Sequence, residues 1–430
     1  MVHIVVIGGG FAGCAAAVTS ARLGARVTLL EKMNSLSGLG PLTGHLITWV
    51  AREETRLMGG GGKDCIEALE KLAIFYQPEF ELPQGNIIFD VTKVEETMYQ
   101  VVQAAGVEIR LRSRAVDVVK KNHRVEGIIL ESGEIITGDA FVDATGSTGT
   151  LHECETYGQG CALCILKCPI YGSRVSIAAK AGAPDTTRDK AMYSPCIYIA
   201  PESVAPWLLK DIQSEATGYY FYPVPEELLS TDFTNHWPHP QNAPASPFSA
   251  GRSASLFPKG KILIYLIPFL KTWVNMPLRF LRSMPGFENA WLVSPLTSDG
   301  NYVKLGAVAP RDNTLKVPGI DNLFCGGERT GRIGALVECL FTGDLAAYNA
   351  VRWALGKAPI EIPSSTMVGL FTNEIKDGHT MTDFPLGRPK GQIYVEHGVE
   401  VLDNKVVYRR LSALGLVDIY ARPMVQIALH

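Results

Sequence analysis

The chain has 430 residues, 47% of them hydrophobic and 19% charged, with a formal net charge of −3. That length suits two or three domains with a sizeable core, and the composition excludes a disordered chain. The charge gives no global positive field to recruit nucleic acid, which argues against strong nucleic-acid binding.

The first element is the apolar run Ile4–Ile7, followed at once by Gly8-Gly9-Gly10-Phe11-Ala12-Gly13 and the small-residue run Cys14-Ala15-Ala16-Ala17. This order predicts a buried strand, a tight turn and a helix. Gly8 allows the turn, Gly10 lets a pyrophosphate approach the backbone, and Gly13 lets the helix pack closely; Phe11 and Ala12 place the first helical N–H groups toward the phosphates. The second strand, Val27–Leu30, ends in Glu31, suited to a ribose hydroxyl, with Lys32 beside it. Strand, helix, strand and acid in register predict dinucleotide binding. With the strand beginning at residue 4 and no cleavage site behind it, no secretory leader is expected, and the expected compartment is the cytosol.

Two glycine clusters follow. Ser35–Gly44 is a loop able to pass close to a cofactor, and Gly59–Gly62 reads as a linker, with a flexible lid hinge as the alternative. The segments Gly106–Leu111, Ala115–Val119 and Arg124–Leu130 alternate like strands of a small antiparallel sheet, and Val116 stands where related nucleotide-binding folds put a backbone contact to adenine. Asp139–Asp143 reads as another buried strand, ending in the turn Ala144-Thr145-Gly146.

Residues 151–310 read as an inserted α+β region carrying a substrate or redox centre. It contains Cys161, Cys164 and Cys168-Pro169, with Cys154 seven residues earlier. Four of the nine cysteines thus fall within fifteen residues. The C-x2-C-x3-C-P spacing resembles part of a ferredoxin ligand run and points to a [4Fe–4S] cluster, with Cys154 or Cys196 as fourth ligand. A redox dithiol formed by Cys161 and Cys164, a structural zinc site and four unrelated thiols are the alternatives. Cys14, Cys65, Cys325 and Cys339 read as small buried hydrophobes. The insertion also holds a predicted strand at Lys261–Ile267 and a polar, proline-rich loop from Asp232 to Arg252. Its most apolar stretch, Ile262–Leu270, contains Pro268 and is far too short to span a membrane.

Near residue 320 the chain returns to a turn, a strand and the corner Gly326-Gly327-Glu328, followed by a helix from about Ile333 to Leu355. A third nucleotide-fold segment so far downstream favours FAD over NAD. The three segments together resemble glutathione-reductase-like FAD folds, and that resemblance implies Gly327, Glu328, Arg332 and Ile333 as cofactor contacts here; Arg329 or Arg332 can stabilise an anionic reduced flavin or pair in solvent. The expected layout is residues 1–150 and 311–357 as a split, glutathione-reductase-like FAD-binding Rossmann fold, 151–310 as the insertion and 358–430 as a C-terminal extension with helices near Ser364–Ile375 and Tyr408–Leu414.

The glycine turn, Asn34-Ser35-Leu36, Gly44–Ile47, Leu323–Gly327, Gly343–Ala350, Leu355–Lys357 and Ile362–Leu370 together resemble the flavoproteins that modify tRNA uridines: the glucose-inhibited-division-A family and the folate-dependent tRNA uracil-5-methyltransferases. The resemblance covers about half the chain, mostly FAD-binding parts, and it implies the fold and FAD. The cysteine block departs from it, and no motif carries over a catalytic residue. The leading expectation is an FAD-dependent oxidoreductase passing electrons between FAD and a cysteine-ligated centre or a bound small-molecule substrate, or a redox partner protein. The alternatives are an FAD- and folate-dependent tRNA-modifying enzyme, with tRNA as runner-up partner, and an electron-relay subunit.

Overall fold

The computed structural model describes residues 1–38, 45–46, 51–76, 87–146, 175–185, 196–214, 220–223, 225–229, 262–267, 278–291, 308–331, 336–374 and 404–424. Its centre is a five-stranded parallel sheet. β1 (His3–Ile7) leads through α1 (Phe11–Arg22) to β2 (Arg26–Leu30), and the two strands pair in parallel with Val5 opposite Thr28. A small antiparallel sheet follows, built from β3 (His45–Leu46), β4 (Ala73–Tyr76) and β5 (Ile87–Phe89). Between its strands lie α2 (Ala51–Met58) and α3 (Gly60–Glu70). After α4 (Val94–Ala104), β6 (Glu108–Arg110) returns to the main sheet beside β2. A three-stranded antiparallel meander, β7 (Ala115–Lys121), β8 (Arg124–Leu130) and β9 (Ile135–Thr137), precedes β10 (Ala140–Asp143), which pairs with β1.

Most residues of β1, β2 and β10 are apolar because a parallel sheet is covered on both faces. Ile4, Val6, Val27 and Leu29 point into a core with α1, α3 and α4, whereas Val5, Ile7, Leu30 and Phe141 point into a second core with the meander. Residues 175–185 join that second core through Ile177, Ala178, Ala181 and Ala183, and include the one-turn helix α5 (Ile177–Lys180).

Further along, β11 (Cys196–Ile199), β12 (Tyr220–Pro223) and β13 (Ile262–Ile267) form a separate sheet in the order β11-β13-β12. α6 (Pro206–Ser214), α7 (Glu226–Leu229) and α8 (Leu278–Leu281) accompany it. This module has its own core of Ile199, Leu208, Ile212, Tyr222, Phe280 and Phe287, and the rings of Tyr222 and Phe287 meet edge-on at 4.8 Å. Then β14 (Leu323–Cys325) closes the main sheet beside β10, giving the order β14-β10-β1-β2-β6. α9 (Leu336–Ala354) lies against α1, and α10 (Met367–Glu374) and α11 (Asn404–Ala413) complete the described chain.

Two sequence expectations change here. The segment 106–111 does not belong to the antiparallel sheet: Glu108–Arg110 is a parallel edge strand, with Leu29 opposite Ile109. An edge strand alternates like a meander strand because one of its sides is half open, so periodicity alone does not separate them. The run Gly59–Gly62 is neither linker nor hinge. Residues 60–62 form the first turn of α3, buried against α1 and α9. A Cβ on Gly61 would strike the Ala15 carbonyl, and one on Gly62 would strike the Asp344 carboxylate. The glycines permit the close approach, and polar bonds fill it. Thr19 donates to Asp344 at 2.6 Å, Gly61 N–H donates to Thr19 Oγ1 at 2.7 Å, and Gly62 N–H donates to Asp344 at 3.0 Å. Burial pushes the Asp344 carboxyl well above its ordinary range, against the pull of these donors. The strand 262–267 and the helices 367–374 and 404–413 lie where the sequence placed them, α11 beginning a few residues earlier. The predicted loop 232–252 lies outside the described residues.

Candidate functional site

The carboxyl ends of β1, β2, β10 and β14 come together, and the loops leaving them build one cradle. Gly8 has φ +103°, a conformation that a side chain disfavours, and a Cβ there would collide with the Ala144 carbonyl. At Gly13 a Cβ would collide with the Gly8 carbonyl, so that glycine seats α1 directly on the turn. Gly10 is different: a Cβ there would meet nothing within 4 Å. Among the described residues sterics do not require glycine at position 10; a side chain there would enter open space. Gly10 is also the N-cap of α1, and among the described residues no side chain caps that end. The first-turn N–H groups of Phe11, Ala12 and Gly13 are thus available to a ligand, at the positive end of the helix.

Glu31 stands at the end of β2, almost fully buried. Its carboxylate accepts from Gly9 N–H at 2.5 Å and from Met33 N–H at 2.7 Å, tying the glycine turn to the turn after β2. Lys32, half-buried, forms part of that second turn. The turn then folds over the glycines. Ser37 N–H donates to the Gly9 carbonyl at 2.7 Å, Ser37 bridges to Gly10, and Ser37 itself is held at φ +79°. Ser113 N–H donates to the Glu31 carbonyl, so the chain enters β7 beside the acid. Val116 follows three residues later at a register shift: Ala115 faces Leu130 and Asp117 faces Ile129, leaving Val116 between two ladder pairs.

Across the sheet, Ala144 N–H donates to the Ile7 carbonyl, and Gly146 at φ +79° again leaves open space where a Cβ would stand. Gly327, at φ +69°, opens a 3₁₀ turn over Gly327–Thr330 and donates to Thr342 Oγ1 at 2.9 Å; a Cβ on it would crowd Ala12. Glu328 is buried in that turn. Arg332 and Ile333 lie outside the described residues, and the helix expected from Ile333 is described from Leu336.

Arg329 differs from expectation. It is fully buried, with no solvent-facing role. Its guanidinium reaches Asp143 at 3.3 Å, Asp185 Oδ2 at 3.0 Å and Ser176 Oγ at 2.7 Å, with a further close bond to Asp185 Oδ1. Burial works against its charge, but Asp143 and Asp185 outweigh it and raise its pKa still further. Oriented onto two carboxylates, Arg329 is not the cation for a reduced flavin. Asp143, Asp185, Ser176 and Arg311 were missed in the sequence. A signal was present: an acid ending the otherwise apolar strand Ala140–Asp143 must find a partner.

The cysteine block Cys154, Cys161, Cys164 and Cys168 lies outside the described residues, and among the described residues no group of acidic, His or Cys side chains forms a metal site. Cys14, Cys65 and Cys325 are buried free thiols and Cys339 is partly buried. Burial pushes Cys14 and Cys325 up to about 12, so neither is a thiolate nucleophile. Among the described residues no helix is long and apolar enough to cross a membrane.

Comparison with known proteins agrees with this geometry. Residues 3–154 match the family model described as FAD dependent oxidoreductase, and residues 271–358 match glucose inhibited division protein A. The tRNA uridine 5-carboxymethylaminomethyl modification enzyme MnmG of Endomicrobium trichonymphae is 22% identical over 429 residues, covering 87% of this chain and 69% of that protein. The methylenetetrahydrofolate–tRNA-(uracil-5-)-methyltransferase TrmFO of Caldicellulosiruptor bescii is 32% identical, over 33% of this chain and 32% of its own length. Among solved structures, Aquifex aeolicus GidA in its form I crystal superposes over 98% of this chain and 76% of its own with a TM-score of 0.62, at 19% identity, a likeness of fold. The chain is therefore an enzyme of the FAD-dependent oxidoreductase type. Within that class it is similar to the GidA and TrmFO flavoproteins, as its sequence motifs imply.

Proposed function

We propose that this protein binds FAD in the cradle above and uses it to modify a uridine base in tRNA. The observation that carries the cofactor assignment is Gly10: open space over its backbone, beside uncapped first-turn N–H groups of α1. The residues present fit FAD. Gly8, Gly10, Phe11, Ala12 and Gly13 would hold the pyrophosphate. Glu31 and Lys32 would hold the adenosine ribose, and Val116 the adenine. Ala144, Thr145, Gly146, Gly327 and Glu328, with Arg332 and Ile333, would hold the ribityl–flavin half. Bound there, FAD supplies hydride exchange and single-electron transfer. The protein's part is to orient Glu31 through Gly9 and Met33, and to present helix N–H groups to phosphate without a side chain in the way. In this reading residues 1–150 and 311–357 form the FAD body, 151–310 the substrate-bearing insertion and 358–430 an extension.

The tRNA assignment rests on the relatives, whose similarity runs through most of the chain. The net charge of −3 limits only the global field, not a local patch. A second reading, electron exchange between FAD and a cysteine-ligated [4Fe–4S] centre, is favoured by the Cys161, Cys164 and Cys168 spacing. Purification under anaerobic conditions, with flavin released and identified by chromatography, tests the cofactor. Titration with bulk tRNA across a salt series tests the substrate. Salt-sensitive binding supports RNA. Yellow protein that ignores tRNA at every salt concentration removes it and leaves the electron-transfer reading.

A further inference from the structure

The two turns expected to grip the flavin half of the cofactor come from distant parts of the chain, residues 144–146 and 327–330. One buried side chain holds both. Asp143 ends β10 with no exposure at all. Its Oδ1 accepts from Thr145 N–H at 3.1 Å and from Thr145 Oγ1 at 2.6 Å, closing the first turn on itself. Its Oδ2 accepts from Arg329 Nε at 3.3 Å, inside the second turn, and from Ala178 N–H at 3.1 Å. The backbone repeats the tie, since Gly326 N–H donates to the Asp143 carbonyl at 3.0 Å.

Arg329 is fixed from its other side. Asp185 and Ser176 take its terminal nitrogens, Ser176 Oγ donates to Asp185 at 2.7 Å, and the same hydroxyl caps α5 by accepting from Ala179 N–H at 3.1 Å. A second arginine braces the far end of the turn. Arg311 donates to the Thr330 carbonyl at 3.0 Å and to the Thr372 carbonyl of α10 at 2.6 Å. Removing one member of such a buried network leaves its partners unsatisfied, so the pieces hold position together.

We propose that Asp143 is a positioning residue for the cofactor: by holding Thr145 with one oxygen and Arg329 with the other, it sets the spacing between the two turns that clasp the flavin half of FAD. The inference rests on the FAD reading above. Asp143 touches neither reacting atoms nor substrate; it acts through Thr145 and Arg329. Ser176 and Asp185 extend the same control to residues 175–185, so a change in that segment is felt at the cofactor through the guanidinium.

The test measures FAD dissociation rate, the visible circular dichroism of bound flavin, and the melting temperature of the apoprotein, in wild type, Asp143→Asn, Asp143→Glu and Ser176→Ala. Asp143→Asn keeps an acceptor for Thr145 but turns an amide toward Arg329. Its expected FAD release is about tenfold faster, the scale of one charge-assisted bond, with an altered flavin dichroism. Ser176→Ala is the milder variant, kept in case Asp143→Asn fails to fold. It leaves both turns chemically intact while removing the α5 cap and one acceptor of Arg329, so a small fall in the apoprotein melting point is expected, with release sped severalfold, beyond what that fall accounts for, and an altered flavin dichroism. Asp143→Glu, which restores the charge, is expected to recover part of the wild-type dichroism. Folded variants with wild-type FAD release and dichroism overturn the inference, as do variants whose faster release tracks the fall in apoprotein melting point with unchanged dichroism. Wild-type protein that carries no flavin overturns the FAD reading instead.

Discussion

Glu54 gives the sharpest test of the energetics. It projects from α2, is fully buried, and caps α10 from a distance of more than 300 residues by accepting from Val368 N–H at 2.9 Å. Among the described residues its other oxygen has no hydrogen-bond partner. Burial raises its pKa from 4.5 to about 7, opposed by the α10 N–H groups and by the charge of Arg410. The sign follows from linkage. Below pH 4.5 the carboxyl is protonated in both folded and unfolded chains, and nothing is lost. Between 4.5 and about 7 the unfolded chain ionises first, so stability falls as pH rises. Above 7 the loss levels off at about 3 kcal/mol. Glu54→Gln keeps an acceptor for Val368 and never ionises. It is expected to match wild type near pH 4.5 and to exceed it by up to about 3 kcal/mol at pH 8. For a chain of this length that is on the order of 3 °C in melting temperature. Thermal melts of both proteins at pH 5 and pH 8, in matched salt, measure it. A wild type that gains on Glu54→Gln as pH rises would mean that the ionised carboxylate stabilises α10, and the argument from burial would be refuted.

Four further outcomes are expected. Gly10→Val should leave the apoprotein melting point near wild type and yield colourless protein, because a Cβ there meets no described protein atom within 4 Å and would enter the space proposed for the cofactor; full yellow colour would sink the pyrophosphate assignment. Gly13→Ala should instead impair folding itself, since its methyl meets the Gly8 carbonyl, and soluble expression compared with Gly10→Val separates the two roles. Glu31→Ala should weaken FAD binding by about 1.5–3 kcal/mol through loss of a charge-assisted bond, and also free the Gly9 and Met33 N–H groups it now holds; unchanged affinity by flavin fluorescence titration would move the ribose acid elsewhere. Replacing any one of Cys161, Cys164 or Cys168 by Ser should remove most of the iron from anaerobically prepared protein if the three are one ligand set, whereas dithiol chemistry would spare the Cys168→Ser variant and show no iron at all.

The nucleotide core was legible because its signals are local. An apolar run, a glycine turn, a small-residue helix and an acid at the end of β2 each follow from neighbours a few residues apart. The misreadings share another cause. Gly59–Gly62 looks like a linker until Ala15, Thr19 and Asp344 are brought against it, and those partners sit up to 282 residues away. Arg329 looks like a surface or ligand-facing cation until Asp143 and Asp185 surround it. Glu108–Arg110 has the pattern of a meander strand, and only its pairing with β2 decides the sheet. Chain order carries propensity and periodicity; it does not carry which buried charge meets which.

The seating of α1 bears on how the protein is made. A Cβ on Gly343 would strike the Ala12 carbonyl, so α9 lies backbone-close along the helix that carries the nucleotide turn, and Gly61 brings α3 equally near on Ala15. The β1–α1–β2 unit leaves the ribosome long before the residues from 336 onward that supply one wall of its helix and 323–325 that supply one edge of its sheet. At about 5–20 residues per second, roughly 15–60 s of synthesis separate the two. Through that interval the side of α1 that α9 covers, around Ala12, has no mate, and a nascent chain must either be shielded by chaperones or hold off collapse until α9 emerges. Truncations that stop before α9 are therefore expected to aggregate during synthesis rather than to yield a smaller nucleotide-binding domain.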